Sequence, residues 1–324
     1  MRIVLFRTDR LGDVIISSAL VEATRRAYPE ATVCFCAKQA FGPLLFAPDD
    51  AAQFIPWDGL TAPQLAAYRF DISIHLHPDP ACAALAAQAG IPTRAGFTSD
   101  EQWLTQTLPY RKDAGQKHEL DYCLEVVQSA LPKIKDPWTP QLPFTAWNAH
   151  HAQPRVVVHC GSFGAKAKLP PTLLATLAEA ALPPVGEPIV QLIGTKEEFA
   201  LAEQTANELK ARHRPVENLA GKLPLPGLVE LISTATVFIG RDSGPAHLAA
   251  ATGCPTFCII PSTRPDTSPT RWRPLGPRVH LFKVDAKPWP WQKNTTAAEK
   301  AFRRLDPQAL SKELFEFLEA TFAS

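Results

Sequence analysis

Short apolar runs of strand length alternate along this chain with longer segments whose apolar residues recur at helical spacing. Arg2 to Phe6 is the first such run, and Val14 to Ala27 follows with Ile15, Ala19, Leu20, Ala23 and Ala27 on one face. The opening therefore reads strand, loop, helix. Further strands are expected at Ala31 to Ala37, Gln53 to Trp57, Asp71 to His77 and Thr93 to Phe97, with helices near Leu60 to Tyr68, at Ala81 to Ala89 and at Glu119 to Leu131. Strands separated by helices predict a parallel, doubly wound sheet. Prolines 132, 137, 140, 143 and 154 then interrupt the pattern, with Trp138 and Trp147 among them. Such a stretch cannot hold a long helix and predicts an interdomain linker. Beyond it the alternation resumes, with strands at Arg155 to Cys160, Pro188 to Gly194 and Thr256 to Pro261 and helices at Pro170 to Ala181, Lys196 to Ala211 and Leu225 to Ala235. Ser262 to Pro277 reads as loop, and Asp306 to Phe322 as an amphipathic helix opened by a capping Asp and a Pro. The expected organisation is a first doubly wound domain over 1–150, with the linker from about 132, a second over 151–305, and a closing helix over 306–324.

The second half turns on the run from Val237 to Pro255, which reads as a buried strand, a tight polar turn and a short helix. Pro245 suits the first helical position, where its missing N–H costs nothing, and Gly244 leaves the backbone open. Small residues (Ala246, Ala249, Ala250, Ala251) let the helix pack closely, and Gly253 with Pro255 ends it. A helix N-terminus after a parallel strand can hold a phosphate through free amides and the positive end of the dipole. An ordinary strand-to-helix connection has the same pattern. In the first half, Asp13 stands at the carboxyl end of the first strand, where open α/β sheets place their sites. It is a candidate general base or a carboxylate favoured by the helix dipole. Asp9 and Gly12 are expected to order that turn.

Composition narrows the classes. At 324 residues with 46% hydrophobic content, the chain is long enough for two α/β domains with real cores. The net charge is +1, from 33 Lys+Arg against 32 Asp+Glu, so no global field favours nucleic acid or a membrane surface. No apolar run approaches the ~20 residues of a membrane span, and the first residues are too brief for a signal peptide's apolar region. A cytoplasmic protein with at most peripheral membrane contact is expected. Seven cysteines without a Cys-x-x-Cys pair read as reduced, small core residues. A single glycine in the first turn is too few for a dinucleotide cofactor, and no Walker motif occurs. His75 and His77 alternate at the end of a strand with Asp79 beyond, a pattern compatible with a metal-dependent hydrolase, but the further ligands of such a site are not in evidence.

Asp242-Ser243-Gly244-Pro245-Ala246-His247-Leu248-Ala249-Ala250-Ala251 resembles the signature segment of the ADP-heptose:lipopolysaccharide heptosyltransferases, glycosyltransferase family 9. Asp9-Arg10-Leu11-Gly12-Asp13, His159-Cys160-Gly161-Ser162 and Asn218-Leu219-Ala220-Gly221-Lys222 fall in the family's order. The resemblance implies a GT-B fold, two Rossmann-like domains facing across a cleft, and metal-independent, inverting transfer of a heptose or related sugar without a cofactor. The donor would be a nucleotide-diphosphate sugar such as ADP-heptose, and the acceptor a saccharide hydroxyl of lipopolysaccharide or another lipid-linked or envelope glycan. It implies Asp13 as catalytic base and, for the donor, Ser243, Gly244, Pro245 and His247, with Asp242 bracing the turn. Ser162 and Glu198 join them, the latter at the ribose. It also implies that the last helix crosses back to the first domain. The chain departs from the family at one point: the usual Lys, basic residue, Trp, Pro reads Ala167-Lys168-Leu169-Pro170, so Lys168, rather than Lys166, is expected to take the missing lysine's part. A fold kept for binding without chemistry, and the hydrolase on His75 and His77, are the alternative readings.

Overall fold

Residues 1–45, 53–111, 115–135, 153–161, 167–287 and 293–323 are described by the computed structural model of the chain. Two units emerge, Met1–Phe144 and Thr145–Ser324. Their boundary falls inside the proline-rich stretch expected to link the domains, of which 136–152 lies outside the described residues.

The first unit runs β1 (Arg2–Phe6), α1 (Leu11–Ala27), β2 (Thr32–Ala37), α2 (Gly42–Leu45), β3 (Phe54–Pro56), α3 (Ala62–Ala67), β4 (Ile72–His75), α4 (Pro80–Gln88), β5 (Thr93–Phe97), β6 (Gln106–Leu108) and α5 (Glu119–Ala130). Its sheet is parallel throughout, in the order β3-β2-β1-β4-β5-β6. Val4 and Phe6 share one face with Cys34, Cys36 and Ile55, and Leu65 of α3 with Cys82 and Ala86 of α4 closes that core. On the other face α1 packs beside α5. Helix α4 begins where the Asp79 carboxylate accepts the amides of Ala81 and Cys82 and Pro80 takes the first helical position.

The second unit repeats the plan: β7 (Arg155–His159), α6 (Pro171–Ala180), β8 (Ile189–Ile193), α7 (Phe199–Ala211), β9 (Val216–Asn218), α8 (Leu225–Ser233), β10 (Val237–Arg241), α9 (Gly244–Thr252), β11 (Thr256–Ser262), α10 (Pro269–Trp272), β12 (Val279–Asp285), α11 (Asn294–Phe302) and α12 (Pro307–Phe322). The parallel order is β12-β11-β10-β7-β8-β9. Val156, Val158, Val237 and Ile239 pack against leucines of α6 and the alanines of α7. Leu310, Leu314 and Leu318 of α12 are buried in the second unit's core, beside α6. Their spacing of four puts all three on one stripe, and burying that stripe drives the docking.

The expected strands and helices recur within a few residues of their predicted bounds, while α2, β6, β9, β12 and α11 went unanticipated, as did α10, a short helix inside the Ser262 to Pro277 stretch expected to be loop. All three strands are sheet edges or short: β6 and β9 have three residues each, too few to display a period, and β12 is mostly half-buried. Helix α1 begins at Leu11 rather than Val14, which brings Asp13 inside its first turn. The seven cysteines are unpaired and buried. No helix among the described residues is long and apolar enough to cross a membrane.

Candidate active site

In each sheet the strand order reverses beside the strand that enters first, between β1 and β4 and again between β7 and β10. Ligands of open α/β sheets bind at the carboxyl ends of such strands, and both groups of expected site residues lie there.

At the first point Arg7 leaves β1 with its guanidinium only 1% exposed. It donates to Asp13 Oδ1 at 2.7 Å, to both carboxylate oxygens of Asp9 at 2.9 and 3.2 Å, to Glu119 Oε1 at 3.3 Å and to the Leu76 carbonyl at 2.7 Å. Burial opposes its charge, but Asp13 and Asp9 beside it, with Glu119 at the start of α5, hold it firmly protonated. Asp13 is thereby anchored through one oxygen by a charge-assisted bond. Asp9 spends its carboxylate on Arg7: burial alone would raise it, and Arg7 holds it below the usual carboxylate range instead. The sequence reading singled out Asp13 but passed over Arg7 and Glu119. The available signal was an arginine directly after a fully apolar strand.

The two histidines of β4 part company. His75 is buried, stacked on Phe6 with ring centroids 4.9 Å apart, and its Nε2 lies 3.2 Å from Ser73 Oγ. Burial pushes its imidazole down to about 3, so it is a neutral core residue at physiological pH. His77 faces Asp79 at 3.7 Å, and Asp79 is bound in turn by Thr8 Oγ1 at 2.8 Å. No group of three His, Cys, Asp or Glu side chains able to hold a metal occurs among the described residues. Of the two histidines named for a hydrolase, His75 is thus packed in the core and His77 lies beside Asp79.

At the second point Ser243 is the N-cap of α9, in extended conformation, and its hydroxyl does not cap the helix amides. The amides of Ala246 and His247 bond the Ser243 carbonyl at 3.0 and 3.2 Å, and Pro245 has none. Gly244 thus keeps the one N–H of the first turn without an intrahelical acceptor, fewer donors than the pattern had promised. Ser243 Oγ lies 3.0 Å from the Arg241 carbonyl and 3.1 Å from Nδ1 of His159, the last residue of β7. His159 Nε2 lies 3.6 Å from Glu198 Oε2, an oxygen that also accepts the Thr195 amide at 2.8 Å. Glu198 is 8% exposed and tucked against Gly161, where a Cβ would meet its Cδ at 1.9 Å. His247 is 4% exposed and turns Nε2 toward Asp242 Oδ1 at 3.5 Å, which braces the turn. Ser243, Gly244, Asp242, His247 and Glu198 are thus brought together around the ends of β7 and β10, joined by His159, whose part in the cluster the spacing did not reveal. Lys168 is exposed between Ala167 and Leu169, both in the core. Ser162 and Lys166 lie outside the described residues.

Residues 61–302 match glycosyltransferase family 9 (heptosyltransferase). The chain belongs to that family. Family 9 membership covers the signature turn, the His159 strand and the Glu198 turn together, and it makes the chain a glycosyltransferase by descent. Lipopolysaccharide heptosyltransferase 3 of Escherichia coli is 45% identical over 68 residues, 21% of this chain and 19% of that protein. Lipooligosaccharide heptosyltransferase 2 of Haemophilus influenzae is 24% identical over 313 residues, covering 88% of this chain and 89% of the other. Among solved structures, ADP-heptose lipopolysaccharide heptosyltransferase II of E. coli aligns with a TM-score of 0.78 at 21% identity over 99% of both chains. The family 9 chain therefore has the GT-B fold. TibC of enterotoxigenic E. coli, described as an iron-containing dodecameric glycosyltransferase, aligns at 0.60 and 17% identity, over 99% of this chain and 76% of that one.

Proposed function

We propose that this chain is an inverting heptosyltransferase that moves a heptose from ADP-heptose to a saccharide hydroxyl of lipopolysaccharide or a related envelope glycan, at the cytoplasmic side of the membrane. The carrying observation is the Asp13 carboxylate, fixed through one oxygen on the buried Arg7 at a topological switch point. Asp13 takes the proton of the acceptor hydroxyl as that oxygen attacks the anomeric carbon from the face opposite the leaving group. The bond from the anomeric carbon to the diphosphate breaks with its electron pair leaving on the phosphate oxygen. The Ser243 hydroxyl and the Gly244 amide at the positive end of α9 receive that charge. Pro245 sets the helix start, Asp242 with His247 keeps the turn in place, and Lys168 is the basic residue offered to the diphosphate, with Ser162 as a further donor contact that the family resemblance implies. Glu198 is the residue nearest the ribose in this reading. The name of the E. coli structural relative, which specifies ADP-heptose, supports the choice of donor. Transfer runs without a metal, and turnover retained after dialysis against a chelator is the expected result.

The test is a thermal-shift panel of ADP, UDP, GDP and CMP, followed by turnover of ADP-heptose. ADP at 100 times its dissociation constant should stabilise the chain by ~2.7 kcal/mol. Asp13→Asn should keep that shift while lowering turnover roughly 10²–10⁴-fold. Near-normal turnover in the variant would remove Asp13 from the chemistry. A metal-dependent loss of activity would remove the metal-free step.

A further inference from the structure

Two arginines stand at the carboxyl ends of central strands, and the fold treats them differently. Arg7 is met by Asp9, Asp13 and Glu119. Arg241, the last residue of β10, is only 4% exposed, yet its Nε and Nη1 are buried with no hydrogen-bond partner. Its guanidinium carbon lies 5.1 Å from the centroid of the Phe302 ring on α11. A ring face attracts the charge but gives those N–H groups no oxygen to bond. The acid that supports the charge, Asp242, has its Oδ1 toward His247 Nε2 at 3.5 Å. The undescribed stretches inside the second unit, 145–152, 162–166 and 288–292, contain no Asp or Glu, so they supply no further carboxylate. Burial draws the Arg241 pKa down, but an arginine does not lose its proton in a protein. The fold thus holds a buried cation whose hydrogen bonds it does not complete, an arrangement that costs stability unless an anion joins it.

The position of that cation says which anion. Strand alternation puts Arg241 on the face of Val237 and Ile239, the face that carries Phe302. A Cβ on Gly240 would lie 3.1 Å from the His159 Cβ, so Gly240 is level with His159 and Arg241 with Cys160, the residue that follows β7. Arg241 is therefore at the second switch point, and its own carbonyl accepts the Ser243 hydroxyl at 3.0 Å. We propose that Arg241 is a donor-binding residue whose guanidinium donates to a phosphate oxygen of the nucleoside diphosphate held at the turn before α9. The proposal rests on the donor reading above. A guanidinium presents two parallel N–H groups to a phosphate, and a buried charge acts more strongly than that of exposed Lys168. No proton or covalent bond is exchanged in the contact. Charge that develops on the departing diphosphate strengthens it, so Arg241 contributes to turnover as well as to binding.

The test sets binding against folding in Arg241→Met and Arg241→Gln, both of the full chain. Each removes the charge, and methionine also keeps a flexible apolar chain against Phe302. Calorimetric titration of ADP should show roughly 10–100-fold weaker binding in both variants, the worth of a charge-assisted hydrogen bond. Urea unfolding without nucleotide should show Arg241→Met at least as stable as the parent, because an unmatched buried charge has been removed. A structural cation gives the opposite pair of results, a destabilised chain and an unchanged affinity for ADP. ADP affinities within about threefold of the parent's in either variant, or failure of both variants to fold, overturn the proposal and leave the donor reading standing. No binding of ADP by the parent overturns both.

Discussion

A guanidinium shut away from water must find its counter-charges inside the protein, and Arg7 finds them in Asp9, Asp13 and Glu119. Removing one partner from a buried pair typically costs about 3–5 kcal/mol, because the other charge is left uncompensated. In the proposed reaction, the placement of Asp13 and folding stability are therefore coupled. His75 shows the opposite solution, a titratable ring kept neutral. Its folded-state value of about 3 lies below the ordinary value of 6.5. As pH falls through the ordinary value the unfolded chain binds a proton that the folded chain refuses, so this contribution to stability is present above about pH 6.5 and is lost on acidification toward pH 3. His75→Phe keeps a flat ring against Phe6 and removes the effect. Urea unfolding of both proteins should show the parent's stability, relative to the variant's, falling by roughly 1.4 kcal/mol per pH unit between about pH 6 and 4. A pH-independent difference would mean that the ring is not held neutral.

Elements here are legible where the sequence has room to show a period. Helix α9 follows the expected signals closely: Pro245 near the start, small residues inward, and Gly253 at φ 83° closing it with its amide on the Ala249 and Ala250 carbonyls. Strands β6 and β9, three residues each, show no period, and only their neighbours in the sheet make them strands. The turn carrying Glu198 was read as a helix start, which it is, through the Thr195 and Glu198 capping box. The same carboxylate proves to be wedged beside the end of β7. Gly161→Ala should push it out, breaking the cap and the His159 contact, at about 1–3 kcal/mol of stability. In a Glu198→Ala background the same substitution should cost little, and a double-mutant cycle by thermal unfolding measures that coupling. Additive effects of the two changes would show that the carboxylate does not occupy the space Gly161 leaves open.

At the scale of the whole molecule, two sheets of the same winding give two switch points, one furnished with a carboxylate on a buried cation and the other with an open helix N-terminus. A diphosphate should therefore act on the second unit. Hydrogen exchange of the full chain with saturating ADP should slow the amides from Ser243 to His247 and from Gly194 to Glu198, leaving those around Arg7 to Asp13 unchanged. Protection centred on the first unit would contradict the division of labour.

The alternation of apolar runs with helical faces determined the doubly wound class and the succession of most elements, because each element's period is written in its own residues. The signature turn and Asp13 were likewise local, a few residues whose types match the chemistry of a helix N-terminus. What only the tertiary structure decided is partnership. Arg7 meets Glu119 across 112 residues, and His159 meets Ser243 across 84. Such contacts follow from which strands are neighbours, and strand order is set by how the helices cover the two faces of a sheet, not by any residue near the site. The docking of α12 within the second unit has the same origin: its apolar stripe was evident in the sequence, while the surface that buries it was made by α6 and the sheet.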